Sequence, residues 1–500
     1  MRVFVPMLIL LIVASGVVCG QTKSKKRGLG YGYHSPQDMA TLSKGISWWY
    51  NWYQEPDDAV KSLYKSYDVE YVPMIWGNSW NETALKNTLN SDPEIKFLLG
   101  FNEPNFLDQA NMTPRQAAAR WPEVEAVADA YGLALIGPAV NFCGNCVSEG
   151  GVAYSDPIKY LDDFFRECQD CRVDYIAVHW YGCGGLEWYL ELFEKYNKPL
   201  WVTEIACWDN TAITLEQQKN FLINAVDYLE SNPNVYRYAW FAGRADGPHV
   251  SLLGQNGKLT ELGELYINMP VHDPGYYHPV PSRIQGQEYQ RMQGIQLEAT
   301  QDESGLMNVG YLNTGDWIEY NIEVAEAGEY SLSLRIAGIQ TGKLEVVLNN
   351  ELYAAVTVPA TGGWQSWQTI DQLLSIPAGR HTLRFKVARD GFNLNWLEIG
   401  TLKPGTVTSV EEYSFLQYAR LYPNPVKGEQ INIELGQQIS GQKLSAQIFN
   451  AAGRIIWEGK PSIRQNHLLE IGAGTALEAG FYLLKISNDK AVRNFKFIVL

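Results

Sequence analysis

Residues 101–104 read Phe-Asn-Glu-Pro and close an apolar run that starts at Phe97; residues 201–205 read Trp-Val-Thr-Glu-Ile and close another that starts at Pro199. Each run sets a glutamate, Glu103 or Glu204, where a buried strand should stop. Two carboxylates about 5 Å apart suffice for retaining glycoside hydrolysis, one acting as nucleophile and the other as proton donor. Asn102 precedes Glu103 and is placed to bind a sugar 2-hydroxyl, which makes Glu103 the candidate acid/base. Glu204 has no such neighbour and is the candidate nucleophile. The plain alternative is a pair of solvated or salt-bridged strand-end glutamates. Glu55, Glu123 and Glu187 lack the flanking pattern.

Other groups able to serve this chemistry end neighbouring apolar runs: Trp49 and Asn51, Trp76, Asn141, His179 and Tyr181, and Trp240. Tyr181 could orient Glu204 through its hydroxyl. His179 could meet a carboxylate or a sugar hydroxyl, with a hydrogen-bonded packing histidine as the equal alternative. Strand alternation sends half of each run into the core, so some of these aromatics are structural. The seven histidines do not recur at metal-ligand spacing, and no metal is expected in this site.

The elements that must position these groups are seven strand-like runs, at 46–52, 71–76, 96–101, 133–140, 173–180, 199–205 and 236–241, with helical stretches between several of them. One helix begins at Thr113 with Pro114 in its first turn, and another at Thr214, three residues before Gln217 in a capping pattern. Strand and helix in alternation argue for parallel strands inside helices. With one irregular strand added they predict a compact (β/α)8-type TIM barrel over 26–268, with a thin helical ring in its early part. In such a barrel, active sites lie at the C-terminal ends of the strands. Residues 269–282, rich in Pro and Tyr, read as a linker. Beyond them the period becomes two, predicting a β-sandwich (jelly roll) at 283–402, a second linker at 403–420 and a small all-β domain at 421–500.

The bulk properties agree. Five hundred residues exceed one core, and a net charge of -15 argues against a nucleic-acid partner. Sixteen Trp, 29 Tyr and 17 Phe leave a surplus of rings for sugar faces. Residues 1–20, with Arg2 before an apolar run, read as a signal peptide. Six cysteines follow it, and an even number in an exported chain favours disulfides. Two C-x-x-C pairs also admit a four-thiolate zinc site. The strand order places Cys143 and Cys146 on the upper face and Cys168 and Cys171 on the lower, which favours two local bridges and a third from Cys183 to Cys207.

The barrel region resembles glycoside hydrolase family 128, a β-1,3-glucanase family of the large retaining clan. The resemblance covers about residues 27–268 and rests on the runs at 45–52, 100–104, 174–181, 201–205, 251–253 and 257–263. It implies Glu103 as acid/base, Glu204 as nucleophile and an endo-acting enzyme on laminarin-type β-1,3-glucan. Exo action, another β-glucan linkage, or a non-catalytic glycan-binding surface protein are the alternatives. Residues 283–399 resemble a family 6 carbohydrate-binding module, which implies that Tyr311 and Trp364 sandwich a sugar ring while Asn395 hydrogen-bonds it. Members often hold a structural calcium through paired acids; Gln285 and Gln287 stand there, so no cofactor is expected beyond a weak calcium. Residues 421–500 resemble a C-terminal sorting domain of the type IX secretion system, through Tyr422-Pro423-Asn424-Pro425, Ala452-Gly453-Arg454 and Gly480-Phe481-Tyr482. That implies passage through outer-membrane secretion machinery to the medium or cell surface. A monomer is expected.

Overall fold

The computed structural model describes residues 23–401 apart from 304 and, within 419–500, the stretches 419–426, 430–434, 444–451, 454–464, 468–472, 477–487 and 492–500. The signal-peptide reading and nearly all of the second linker fall outside the described residues, as do 452 and 453 of the tail motif. The chain forms two compact units, 1–402 and 403–500. Among the described residues no helix is long and apolar enough to cross a membrane.

Eight parallel strands build the first domain: β1 (Arg27–Gly30), β2 (Trp48–Tyr50), β3 (Glu70–Tyr71), β4 (Phe97–Leu99), β5 (Ala134–Ile136), β6 (Ile176–Trp180), β7 (Leu200–Ile205) and β8 (Val235–Phe241). Six form one parallel sheet in the order β3-β2-β1-β8-β7-β6, and β4 pairs with β5. Single parallel bridges connect the two sets on both sides: Met74 with Leu99, and Ile136 with Tyr175 and Val140 with Val178. The strand absent from the sequence reading is β1, whose Arg-Gly-Leu-Gly holds one large apolar residue.

Seven α-helices lie between or after these strands: α1 (Pro36–Leu42), α2 (Glu82–Ser91), α3 (Pro114–Tyr131), α4 (Pro157–Glu167), α5 (Leu186–Glu191), α6 (Leu215–Ser231) and α7 (Glu261–Asn268). Thr113 caps α3 in a reciprocal capping box with Gln116, and Thr214 caps α6 in another with the expected Gln217. Only a 3₁₀ turn, Tyr64–Tyr67, stands between β2 and β3, so the helical layer is thin where the sequence lacks a helical pattern.

Alternation divides the strand residues between two cores. Trp48, Tyr50, Met74, Phe97, Leu99 and Trp201 pack together within the strands, while Trp49, Leu98, Val178, Val202 and Trp240 face the helices. At the N-terminal ends, the Arg237 guanidinium lies 4.6 Å from the Phe97 ring centre and 5.1 Å from that of Trp201, paired with Glu70 at 2.5 Å. This closes the lower end with a paired charge and leaves the upper end for chemistry.

The second domain is a sandwich of two six-stranded sheets. Its strands include Trp317–Val324, Gly328–Gly338, Gly342–Leu348, Gly379–Arg389 and Phe392–Thr401, in keeping with the period-two pattern. The 269–282 segment departs from the linker reading. His278–Val280 joins a sandwich sheet beside Trp317–Val324, and His272 Nε2 lies 2.8 Å from Asp227 on α6. Tyr289 donates to the same carboxylate at 3.0 Å, so α6 anchors the sandwich to the first domain. In the second unit, two four-stranded sheets enclose a separate core that includes Ile431, Ile448, Leu484 and Phe497.

Candidate active site

The two glutamates converge at the upper strand ends through different local devices. Glu103 follows β4 in a left-handed backbone conformation, φ 41°, an uncommon state for a residue with a Cβ and one that clusters at functional sites. Glu204 depends on a bulge. Val202 pairs with Val178 and Tyr238, and the next partners are Glu204 with His179 and Ile205 with Trp180 and Trp240. Thr203 is therefore the extra residue in β7. Regular alternation from the inward Trp201 would send Glu204 toward the helices; the extra residue turns it inward.

One oxygen from each carboxylate and a ring nitrogen of His179 lie within 4.8 Å of one another. His179 Nδ1 stands 2.9 Å from Glu103 and 3.4 Å from Glu204; a carboxyl oxygen accepts on each side, so this ring nitrogen is placed to donate. Glu204 also accepts from the Tyr50 hydroxyl at 3.0 Å, the Trp52 indole at 2.8 Å and the Tyr181 hydroxyl. Burial would push the His179 pKa down, but the charge of Glu204 and the hydrogen bond and charge of Glu103 outweigh it and hold the pKa above its ordinary value. Burial, followed by the two carboxylates, pushes the Tyr181 hydroxyl far up, so it stays a donor. Burial and Glu204 do the same to Tyr50. Trp52, Tyr181 and Trp208 surround Phe241 edge-on and give the site an aromatic wall.

Three family models match in succession: a glycosyl hydrolase catalytic core over 28–266, a family 6 carbohydrate-binding module over 285–401 and a secretion system C-terminal sorting domain over 420–500. A solved endo-β-1,3-glucanase of glycoside hydrolase family 128, subgroup II, from Sorangium cellulosum is 50% identical, with all of that chain and 50% of this one covered, at a TM-score of 0.45. The first domain belongs to glycoside hydrolase family 128. It is the identity over the full length of that chain that carries the assignment. For the sandwich, a carbohydrate-binding module from Cellvibrio mixtus lichenase 5A, solved with cellotriose, is 33% identical over 99% of its chain and 25% of this one, at a TM-score of 0.24. Alkali-sensitive linkage protein 1 of Schizosaccharomyces pombe is 30% identical over 49% of this chain and 45% of its own length. The chain spans less than half the length of the curated relatives it matches first.

Within the family 128 domain, several residues singled out from the sequence lie elsewhere. Trp49 is fully buried against His34, Tyr64 and Tyr71. Trp240 packs on Phe221 and Tyr266 and donates its indole to Val250 O. Both are strand residues of the outward phase. Asn51 binds Glu55 O and Asp57 and accepts from Tyr71, so it shapes the loop after β2. Asn102 and Asn141 are buried at the strand ends, and Trp76 is half-buried beside them, its carbonyl accepting from Asn102 N. Asn102 Oδ1 is buried without a partner among the described residues. Tyr50 and Trp52 were missed as individual site residues; both belong to the aromatic run that drew attention to β2.

The six cysteines pair as expected, Cys143–Cys146, Cys168–Cys171 and Cys183–Cys207. The last joins the loops after β6 and β7.

On the sandwich, a cleft of about 670 Å³ contains Tyr311 and Trp364, respectively 60% and 45% exposed. Asn395 is not part of it. Ile336 pairs with Leu394 and Arg335 with Trp396, so Asn395 is the bulged residue of its strand; it is fully buried and donates to Asp302 at 2.7 Å. Asn393 lines the cleft instead. It donates to Glu298 Oε1, which also accepts from Asn308 and Gln365. The Oε1 atoms of Gln285 and Gln287 are both buried without partners among the described residues. Two amide oxygens are the right ligand type for calcium but bring no charge, which fits a weak site.

Proposed function

We propose that this chain is a secreted, retaining endo-β-1,3-glucanase that hydrolyses laminarin-type β-1,3-glucans. The observation that carries the reading is that one oxygen of Glu103 and one of Glu204 lie within 4.8 Å of each other, which supports the short carboxyl separation of retaining enzymes over the roughly 6.5–9.5 Å of inverting ones. The ring of strand pairings is read as a closed (β/α)8-type barrel with Glu103 and Glu204 at the upper ends of β4 and β7. Family relatives solved as endo-β-1,3-glucanases support the substrate class.

In this mechanism a Glu204 oxygen attacks the anomeric carbon and forms a glycosyl ester. Glu103, protonated, gives its proton to the glycosidic oxygen as that bond breaks. Glu103, now a carboxylate, takes a proton from water, whose oxygen attacks the anomeric carbon and releases Glu204. Tyr50, Trp52 and Tyr181 are positioning residues that fix the Glu204 oxygens. His179 holds the two carboxylates at a common separation. The unpartnered Asn102 Oδ1 accepts from a sugar hydroxyl. No metal is required by these steps.

Release of reducing ends from laminarin, with cellulose and xylan as controls, tests the activity. Proton NMR of the first product anomer tests retention. A series of oligosaccharide products denotes endo action, and a single small product would replace that part of the reading with exo action. Glucan binding without any hydrolysis would leave a glycan-binding surface protein in its place.

A further inference from the structure

The outer face of α6 borders two cavities, and one residue belongs to both. The sandwich cleft of Tyr311 and Trp364 is not built by the sandwich alone: Glu216 and Asn220 of α6 form part of its wall. A second groove, of about 700 Å³, lies between α5 and α6 and is lined by Trp188, Gln217, Asn220, Asn224 and Tyr228. Asn220 thus lies at the junction, and its Oδ1 accepts from Ala299 N of the sandwich at 3.5 Å. At its other end the groove is walled by Cys183, Gly184 and Asn210, in the loops that follow β6 and β7. The Cys183–Cys207 bridge ties these loops together a few residues beyond Tyr181 and Glu204. Trp188 is 53% exposed, and its ring lies parallel to the exposed Phe142 ring, 6.1 Å between centres.

The chemistry of the two linings is alike. Each combines exposed aromatic faces with side-chain amides, and neither holds a lysine or arginine among the described residues. That composition suits a neutral, hydroxyl-rich polymer with flat ring faces and offers nothing to an anionic one.

We propose that the cleft and the groove are one continuous track for a single β-1,3-glucan chain, with Asn220 as its floor at the domain junction. A chain clamped between Tyr311 and Trp364 crosses α6 at Asn220, lies along Trp188 and reaches the loops of the two catalytic strands. The sandwich is then part of the polymer-binding site of the enzyme and not a separately tethered anchor. The proposal rests on the glucanase reading above.

The test uses the full chain carrying Glu204→Gln and measures, by calorimetry, its affinity for laminari-oligosaccharides from three units up to laminarin. A continuous track makes affinity climb with chain length past the length that saturates a single cleft. Asn220→Arg, which sets a long cation at an exposed point of the junction, should abolish that climb. Trp188→Ala, which adds no bulk, should weaken laminarin binding about tenfold. In the active enzyme, both variants should lower the ratio of laminarin to laminaritriose kcat/KM by a similar factor. Affinity that levels off at short lengths, or laminarin binding indifferent to both substitutions, would overturn the track while leaving the glucanase reading in place. Absence of any glucan binding would overturn that reading and the track with it.

Discussion

Glu103 and Glu204 differ in how many donors reach them: among the described residues His179 alone is found at Glu103, whereas Glu204 receives Tyr50, Trp52, Tyr181 and the longer His179 contact. An ionised carboxylate only accepts hydrogen bonds, so the crowded group suits the nucleophile and the open one suits the group that must gain and lose a proton. Glu103→Gln and Glu204→Gln should each lower kcat by roughly 10³-fold or more, with KM moving far less, because each removes a group used in the reaction itself. Steady-state kinetics on laminarin checks this, and near-normal turnover in either variant removes that residue from the mechanism. His179 makes a second, pH-dependent prediction. Its folded pKa lies above the ordinary value of 6.5, so the proton it binds adds stability below the unfolded pKa, and that stability is lost as pH rises through the folded value. Urea unfolding of the wild type and of His179→Gln should therefore differ most below the ordinary value of 6.5 and converge as pH rises through the folded value. A gap that widens with pH would mean that His179 is neutral between the two carboxylates.

At the scale of strands and loops, composition marked the elements but could not give the phase of every side chain. β2 is buried on both faces, so Trp48, Trp49 and Tyr50 are all apolar-rich and only the fold distinguishes inward from outward. That is why Trp49 was legible as buried but not as structural, and Trp240 likewise. The capping box of α6 was legible because its chemistry is local. The two bulges were not: a single extra residue leaves no signature in a period-two pattern, yet Thr203 turns Glu204 toward the site and the bulge at Asn395 takes that amide out of the sandwich cleft. Glu204 was found despite this because its apolar flank marks a strand end whichever way the side chain points. The Cys183–Cys207 bridge was readable from strand order, since both residues follow adjacent strands. It closes a loop of 24 residues, and its removal as Cys183→Ser/Cys207→Ser should cost about 3 kcal/mol of stability by loop entropy. Activity should fall as well, because the same bridge binds the loops that follow His179 and Glu204. Chemical unfolding and laminarin turnover of the double variant measure the two effects, and unchanged turnover would show that the loops keep their places without the bond.

At the scale of the whole molecule, the three matched regions follow one another along the chain, and the third falls in a compact unit of its own. The proposed hydrolysis uses two carboxylates, while the amide oxygens of Gln285 and Gln287, unpartnered among the described residues, lie in the sandwich. Removing metal with EDTA should accordingly leave laminarin hydrolysis intact, and added calcium should at most raise the unfolding temperature of the sandwich by a small amount. Loss of turnover on chelation would place a cation in the mechanism. The tail is a compact unit with its own two-sheet core and matches a secretion system C-terminal sorting domain over 420–500, so it should be dispensable for catalysis and sufficient for address. A chain ending at 402 keeps both the proposed carboxylate pair and the glycan cleft, and it should hydrolyse laminarin as fast as the full chain. Residues 403–500 fused behind a signal peptide and a fluorescent reporter should carry that reporter to the medium or the surface of a bacterium that has type IX secretion machinery, and leave it in the periplasm of a strain lacking that machinery. Equal export from both strains would assign the tail some other role, whereas a drop in laminarin turnover on truncation would mean that it contributes to the hydrolase itself.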